Sequence, residues 1–347
     1  MMSGRRRRIY YSKDAARGIT ETWRRATGHK MDPLVDDTEL PLRAVFHPLG
    51  FPLNLSTNSP DVLKCATESW GTWGAEFDRP PMEMQVRVHE DGELALDAEY
   101  RPLGHLSSVV ADRHNYAVMD LERLCGYAFV SHKTAADHAW FRWYFLDTIG
   151  FFMVAQRYAM AVHAACVARD GRGILLAGES CAGKSTLAWA CARAGWTYVA
   201  DDAAHLLMDG DGRNVLGRPH IVRFRHDAPD LFGELERYTS RVRPNGKLGI
   251  EVPTTQFPQV RTAARCQAEA VVFLDRSGRR APGFERLDAG DALEELIGEL
   301  SNHRQETRTR YRRVARRLLE APAYRMRYKT LDEGMALLGD LHERLRA

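Results

Sequence analysis

The chain has 347 residues, 44% of them hydrophobic and 27% charged. That composition excludes a disordered chain, a collagen-like repeat and a disulfide scaffold, and the length predicts about two domains. With 49 basic against 46 acidic residues the formal net charge is +3, too balanced to point to nucleic acid or an anionic membrane as the main partner.

Residues 1–40 are polar and poorly patterned, and the RRRR run at 5–8 has no apolar stretch behind it to make a secretion signal. Phe51, Leu53 and Leu55 alternate as in a strand. Ser59-Pro60 reads as an N-cap and first helical position, with the helix running through Trp70 and stopping at Gly71. Met84–Val88 and Leu94–Tyr100 alternate on either side of Asp91-Gly92, which predicts a hairpin. Strand-like pieces follow at Leu106–Ala111, Tyr116–Met119 and Tyr127–Ser131. This part reads as an α+β unit on a largely antiparallel sheet. Ala135–Met160 then reads as one long, almost wholly apolar helix of the kind buried between layers, and the domain boundary is set at its end, giving 1–150 and 151–347. The apolar stretch Ile149–Ala168 is broken by Gln156, Arg157 and His163, so no membrane span is predicted.

Beyond the boundary, Ala164–Ala168 and Gly173–Ala177 look like buried strands. Lys184–Arg193 follows as a helix ending at Gly195, and Trp196–Ala200 as another buried strand. After Asp275 the chain reads as mostly helical. Leu293, Leu296, Ile297 and Leu300 share a face, 303–320 forms a basic helix able to meet an acidic partner, and Thr330-x-x-Glu333 is a capping box opening the last helix. The six cysteines, with no C-x-x-C pair among them, read as reduced and cytoplasmic thiols.

The chemistry is concentrated in Gly178-Glu179-Ser180-Cys181-Ala182-Gly183-Lys184-Ser185-Thr186. This fits G-x-x-x-x-G-K-[ST] between a buried strand and a helix. Glycines let the backbone close tightly with its N–H groups turned inward, and the helix presents its positive end to the same point. Lys184 would reach the β- and γ-phosphates, and the Ser185 hydroxyl would ligate Mg²⁺. The chain holds 42 arginines and only 7 lysines, and Lys184 is the only lysine between Thr134 and Gly246. A strand ending in Asp201 and Asp202 lies where the metal ligand or catalytic base of a phosphoryl-transfer enzyme is found. Neighbouring strand residues face opposite ways, which gives the two aspartates different jobs. Lys247, in a glycine-flanked turn, is a further candidate to reach phosphate.

The order His163, GESCAGKS, ADD resembles the catalytic domain of HPr kinase/phosphorylase and, more closely, the broader group of HPr-kinase-related kinases. The resemblance covers about residues 160–205. It implies a phosphoenolpyruvate-carboxykinase-like P-loop domain with a mixed sheet, preceded by the α+β domain. It also implies an ATP- and Mg²⁺-dependent kinase acting on a serine of a protein or peptide. In that reading Lys184 binds phosphate, Ser185 and Asp202 hold the metal, Asp201 receives the acceptor hydroxyl, and His163 assists. The family's Glu-x-Arg-Gly-x-Gly segment has no counterpart at 217–224, so phosphorylase activity is not expected. A small-molecule kinase and a non-catalytic ATP-sensing regulator are the alternatives, and self-assembly into a homo-oligomer stays open.

Overall fold

The computed structural model describes residues 39–346 other than 211, 243–245, 247, 277–280 and 299–304. Lys247, Leu300 and the arginine run near the N-terminus fall outside the described residues.

The first unit is a seven-stranded sheet. Its strands are β1 (Leu42–Phe46), β2 (Leu53–Thr57), β3 (Met82–His89), β4 (Glu99–Leu103), β5 (Leu106–Asp112), β6 (Asn115–Asp120) and β7 (Cys125–Ser131), in the order 1-2-3-7-6-5-4. β2, β3 and β7 are parallel neighbours and the remaining pairs are antiparallel. The hairpin expected at Asp91-Gly92 is absent: both edges of β3 are taken, and residues 93–98 lie outside any strand. Helix α1 (Pro60–Trp70) has the predicted bounds, with Ser59 at its N-cap although the hydroxyl makes no cap hydrogen bond.

The long apolar helix is real but interrupted. It runs as α2 (His132–Ala136) and α3 (His138–Phe141), then a wider π turn (Arg142–Leu146), then α4 (Asp147–Arg157). Trp70, Phe141, Phe145, Ile149 and Met153 are fully buried with Leu53, Leu55, Met82 and Met84 in one core. At roughly 25 cal/mol per Å² of apolar surface, each contributes on the order of 2 kcal/mol.

The helix stops at Arg157. The next residues form β8 (Ala159–Val162), part of the second sheet. That sheet is mixed and has ten strands. They include β9 (Ala165–Arg169), β10 (Arg172–Ala177), β11 (Thr197–Ala200), β12 (Ala204–Leu207) and β13 (Asn214–Leu216). β14 (Ile221–Arg225), β15 (Arg241–Val242) and β16 (Leu248–Pro253) form a separate three-stranded sheet in the order 14-16-15. β17 (Arg261–Thr262), β18 (Arg265–Asp275), β19 (Gly283–Arg286) and β20 (Ala323–Arg327) complete the large sheet.

β10 and β18 lie side by side in parallel at its centre and are apolar on both faces. Ile174 and Leu176 face one core, with helix α5 (Lys184–Arg193) and the last helix, while Leu175 and Ala177 face another. Helix α6 (Ala289–Ile297), α7 (Gln305–Leu318) and α8 (Leu331–Arg346) follow. α6 and α7 cover the second core, and α8 sits beside α5 on the first. The chain is therefore a mixed α/β protein with helices on both faces of its larger sheet. The capping box forms as expected: Glu333 N–H donates to the Thr330 hydroxyl at 3.2 Å, and Thr330 N–H to the Glu333 carboxylate at 3.2 Å. β19 and β20 are strands that the sequence pattern did not show. Among the described residues no helix is long and apolar enough to cross a membrane.

Side chains tie the two sheets together. Phe51 stacks on Tyr158 at 4.6 Å, the Tyr158 hydroxyl donates to Pro80 O at 2.9 Å, and Arg218 pairs with Asp147 at 2.9 Å.

Candidate functional site

The glycine loop lies at the C-terminal end of β10 and leads directly into α5, as the sequence requires. Gly178 has φ +141° and Gly183 φ +94°, conformations that side chains rarely adopt. Gly183 has a second constraint, since a Cβ there would come within 2.8 Å of the Tyr328 hydroxyl. That hydroxyl donates to Ala182 O at 3.2 Å and holds the loop from below. Cys181, exposed and at φ +70°, accepts from Arg225 Nη1 at 3.0 Å.

Lys184 is buried, 6% exposed, and spans the loop. Its ammonium donates to Gly178 O at 2.6 Å and to Glu179 O at 3.0 Å. The positive charge is thus held inside the ring of loop backbone at the start of a ten-residue helix. Such a ring can cradle the phosphates of a nucleotide.

The two aspartates lie in different environments. Asp201 is 7% exposed. One carboxylate oxygen accepts the Arg223 N–H at 3.1 Å, and the other is buried without a hydrogen-bond partner. Burial pushes its carboxyl above the usual range, while the Ser185 hydroxyl beside it and the Arg223 N–H draw it part of the way back. Asp202 is exposed, with 62% of its side chain open. Its partner is His163, in the turn between β8 and β9. The imidazole Nδ1 lies 3.0 Å from Asp202 O and 3.3 Å from its Oδ1.

The sequence expectation paired Ser185 with Asp202, but the neighbour of Ser185 is Asp201. β11 is irregular just before the aspartates: Tyr198 pairs with Val167 but Ala200 already pairs with Cys166. Val199 is the extra residue, and Val199 and Ala200 both face the same core, opposite to Tyr198. A bulge of this kind re-aims the side chains after it, so simple alternation does not say which aspartate turns toward the loop.

A hydroxyl and a carboxylate oxygen side by side, one of them buried and unpartnered, suit Mg²⁺ better than a soft metal. Among the described residues no group of three or more His, Cys, Asp or Glu could hold a metal ion by itself. Mg²⁺ arriving with a triphosphate needs only one or two protein ligands, so Ser185 and Asp201 fit that group.

Four residues at this site carry no local sequence signal: Arg223, Arg225, Arg276 and Tyr328. Arg223 is half-buried, and the Glu251 carboxylate opposite it at 2.8 Å holds its guanidinium firmly charged against the desolvation that opposes it. Arg276 lies over the Tyr328 ring at 5.7 Å and beside Gly183. Burial pushes the Tyr328 hydroxyl up to about 12, so it stays a neutral donor to the loop.

A family model described as SynChlorMet cassette protein ScmC matches residues 130–218. That stretch runs from the end of β7 through the loop and both aspartates. Among solved structures the chain is similar to the HPr(Ser) kinase/phosphatase from Coxiella burnetii, at 13% identity and a TM-score of 0.31, over 54% of this chain and 99% of that one. No curated protein matches.

Proposed function

We propose that the chain is a Mg²⁺- and ATP-dependent kinase that moves the γ-phosphoryl group to a hydroxyl, and that the acceptor is a serine of a protein or peptide. One observation carries this reading: Asp201 is buried against Ser185 at the glycine loop, while Asp202 is exposed and backed by His163. A phosphotransferase needs one carboxylate for the metal and another open to the incoming acceptor. A protein that only sensed ATP would have no use for the second.

In this scheme the loop N–H groups and the Lys184 ammonium bind the triphosphate. Ser185 and Asp201 hold Mg²⁺, whose charge neutralises the phosphate oxygens when it is bound. Asp202 accepts the proton of the acceptor hydroxyl, and the His163 ring orients it. The metal and acceptor roles of the two aspartates are therefore the reverse of those expected from the family resemblance. Burial supports this division, since a general base must be reachable by the acceptor and a metal ligand need not be. The ATP-dependent direction is retained and phosphorylase activity is not proposed. The serine acceptor rests on the resemblance of the motif order.

The test is calorimetry of ATP with and without Mg²⁺, followed by transfer from γ-labelled ATP into the proteins and small molecules of a whole lysate. Mg²⁺-dependent binding together with a labelled protein or peptide band is expected. Binding without any labelled product would leave only a nucleotide sensor, and no binding would remove the kinase altogether.

A further inference from the structure

A groove of about 790 Å³ opens between the helices of the first unit and the three-stranded sheet. Five arginines line it, Arg142, Arg218, Arg223, Arg237 and Arg241, against the three carboxylates of Glu68, Asp147 and Glu251. Each carboxylate is already engaged. Glu251 takes Arg223 at 2.8 Å and Arg142 at 3.6 Å. Asp147 takes Arg218 on one oxygen, and the Ser69 hydroxyl and Trp70 indole on the other. Glu68 is bonded to His138 at 2.8 Å.

Donors are left over. Arg218 Nε and the neutral His220 ring, with one N–H donor and one acceptor nitrogen, are buried without a hydrogen-bond partner, and Arg241 stands exposed at the rim. Buried donors without acceptors are costly, and in native proteins they call for an explanation. The five groove arginines outnumber the three carboxylates by two charges, and a ligand bringing carboxylates would complement that excess in the planar geometry guanidinium groups favour.

The groove is joined to the candidate site by β14, an edge strand of the small sheet. Ile221 lines the groove, the Arg223 N–H donates to Asp201, and Arg225 reaches Cys181 of the glycine loop. From Ile221 to Arg225 is four residues, roughly 13 Å of strand at about 3.3 Å each. A small anion in the groove would not reach the loop, but an extended peptide would span both. Trp143, Tyr238 and Val242 in the groove walls offer apolar surface to such a chain.

We infer that the groove binds an acidic acceptor peptide and holds its Glu or Asp side chains while its hydroxyl is offered to Asp202. The inference rests on the kinase reading for the hydroxyl, but not for the binding of acidic peptide.

The test uses two fluorescein-labelled dodecapeptides with one central serine, one carrying four glutamates and the other four glutamines. Anisotropy should show the glutamate peptide binding at least tenfold more tightly at low salt, with the gap closing as NaCl rises. Arg241→Gln, at an exposed position, should weaken it three- to fivefold without touching the fold. Arg218→Gln should weaken it further, with circular dichroism checking that this variant folds. Arg313→Gln/Arg316→Gln, on the exposed face of α7, should leave binding unchanged. Equal binding of both peptides, loss of binding in the α7 variant, or displacement by millimolar inorganic phosphate would each overturn the inference. Mg-ATP calorimetry is run alongside. If ATP fails to bind while the glutamate peptide keeps its preference, the kinase reading falls and the groove stands. If ATP binds and the preference is missing, the groove falls and the kinase reading stands.

Discussion

Replacing Asp201 by asparagine separates stability from function. The asparagine keeps the volume and can still accept the Arg223 N–H, but it removes a charge from a position only 7% exposed. The folded-state carboxyl lies above its ordinary 3.8, so ionising it costs the folded chain free energy. Both states are protonated well below pH 3.8 and the cost is then zero; it grows as pH rises from 3.8 toward the folded value and is full above it. Asp201→Asn should therefore stabilise the nucleotide-free protein at pH 7.5 by about 0.5–2 kcal/mol, the usual range for relieving a strained functional position. At about 2–4 °C per kcal/mol, Tm rises by a few degrees. That gain should vanish below about pH 3. Mg-ATP affinity should fall by about 1.5–3 kcal/mol, or roughly 10–150-fold. Asp202→Asn, with a 62% exposed side chain, should leave Tm and Mg-ATP affinity nearly unchanged but slow phosphoryl transfer by about 10²–10⁴. Calorimetry and thermal melts at two pH values read both effects. If Asp201→Asn lowers Tm and keeps affinity while Asp202→Asn loses affinity, the assignment of the two aspartates is refuted.

Lys184→Ala should cost at least about 10² in ATP affinity, because the ammonium inside the loop is the main fixed positive charge there; unchanged affinity by calorimetry would reject the phosphate-loop reading. Gly183→Ala forces a Cβ to φ +94° and to within 2.8 Å of the Tyr328 hydroxyl. It should destabilise by about 1–3 kcal/mol, with Tyr328→Phe recovering only the steric part in a double variant. His205 is buried and both ring nitrogens of His220 are shielded from water, which holds their imidazoles down to about 3 and about 4. Both stay neutral in the fold while the unfolded chain protonates near 6.5, so the stability they contribute is complete above pH 6.5 and is lost as pH falls toward 4. At pH 5 the loss should be on the order of 2 kcal/mol for each. His205→Gln should flatten the denaturation midpoint against pH, and an unchanged slope would count against that burial.

The parts of the fold legible in the sequence are those written in one short stretch of chain. The glycine loop is eight contiguous residues between a buried strand and a helix, and α5 begins and ends where the motif and Gly195 say. The misreadings have a common origin in long-range pairing. Asp91-Gly92 carries a good turn signal, and Gly92 does adopt φ +98°. But β3 spends both edges on β2 and β7, whose residues lie some thirty to forty positions away, and no local pattern reports that. Ala159–Val162 continues the apolar run of α4, and four apolar residues cannot by composition be told from one more helical turn. They become β8 because β12 offers an edge to pair with.

The same distinction runs through the site. The residue types on which the proposed phosphate and Mg²⁺ binding rests are visible in the 178–202 string. Their arrangement is not, because β11 is irregular just before the aspartates, and that bulge exists only relative to β9. Arg225, Arg223 and Tyr328 reach the loop and its aspartates from β14 and from just past β20, 22 to 146 residues from their partners. Nucleotide chemistry can be local because a phosphate is small and a single loop surrounds it. Recognition of an acceptor cannot be, since a peptide some 13 Å long at about 3.3 Å per residue must touch several elements at once. The groove is accordingly assembled from α1, the π turn, α4 and the three-stranded sheet, none of which announces a binding role in its own sequence. Selectivity in this chain should therefore respond to changes in those elements while nucleotide affinity does not, which is the separation that the glutamate and glutamine peptides measure.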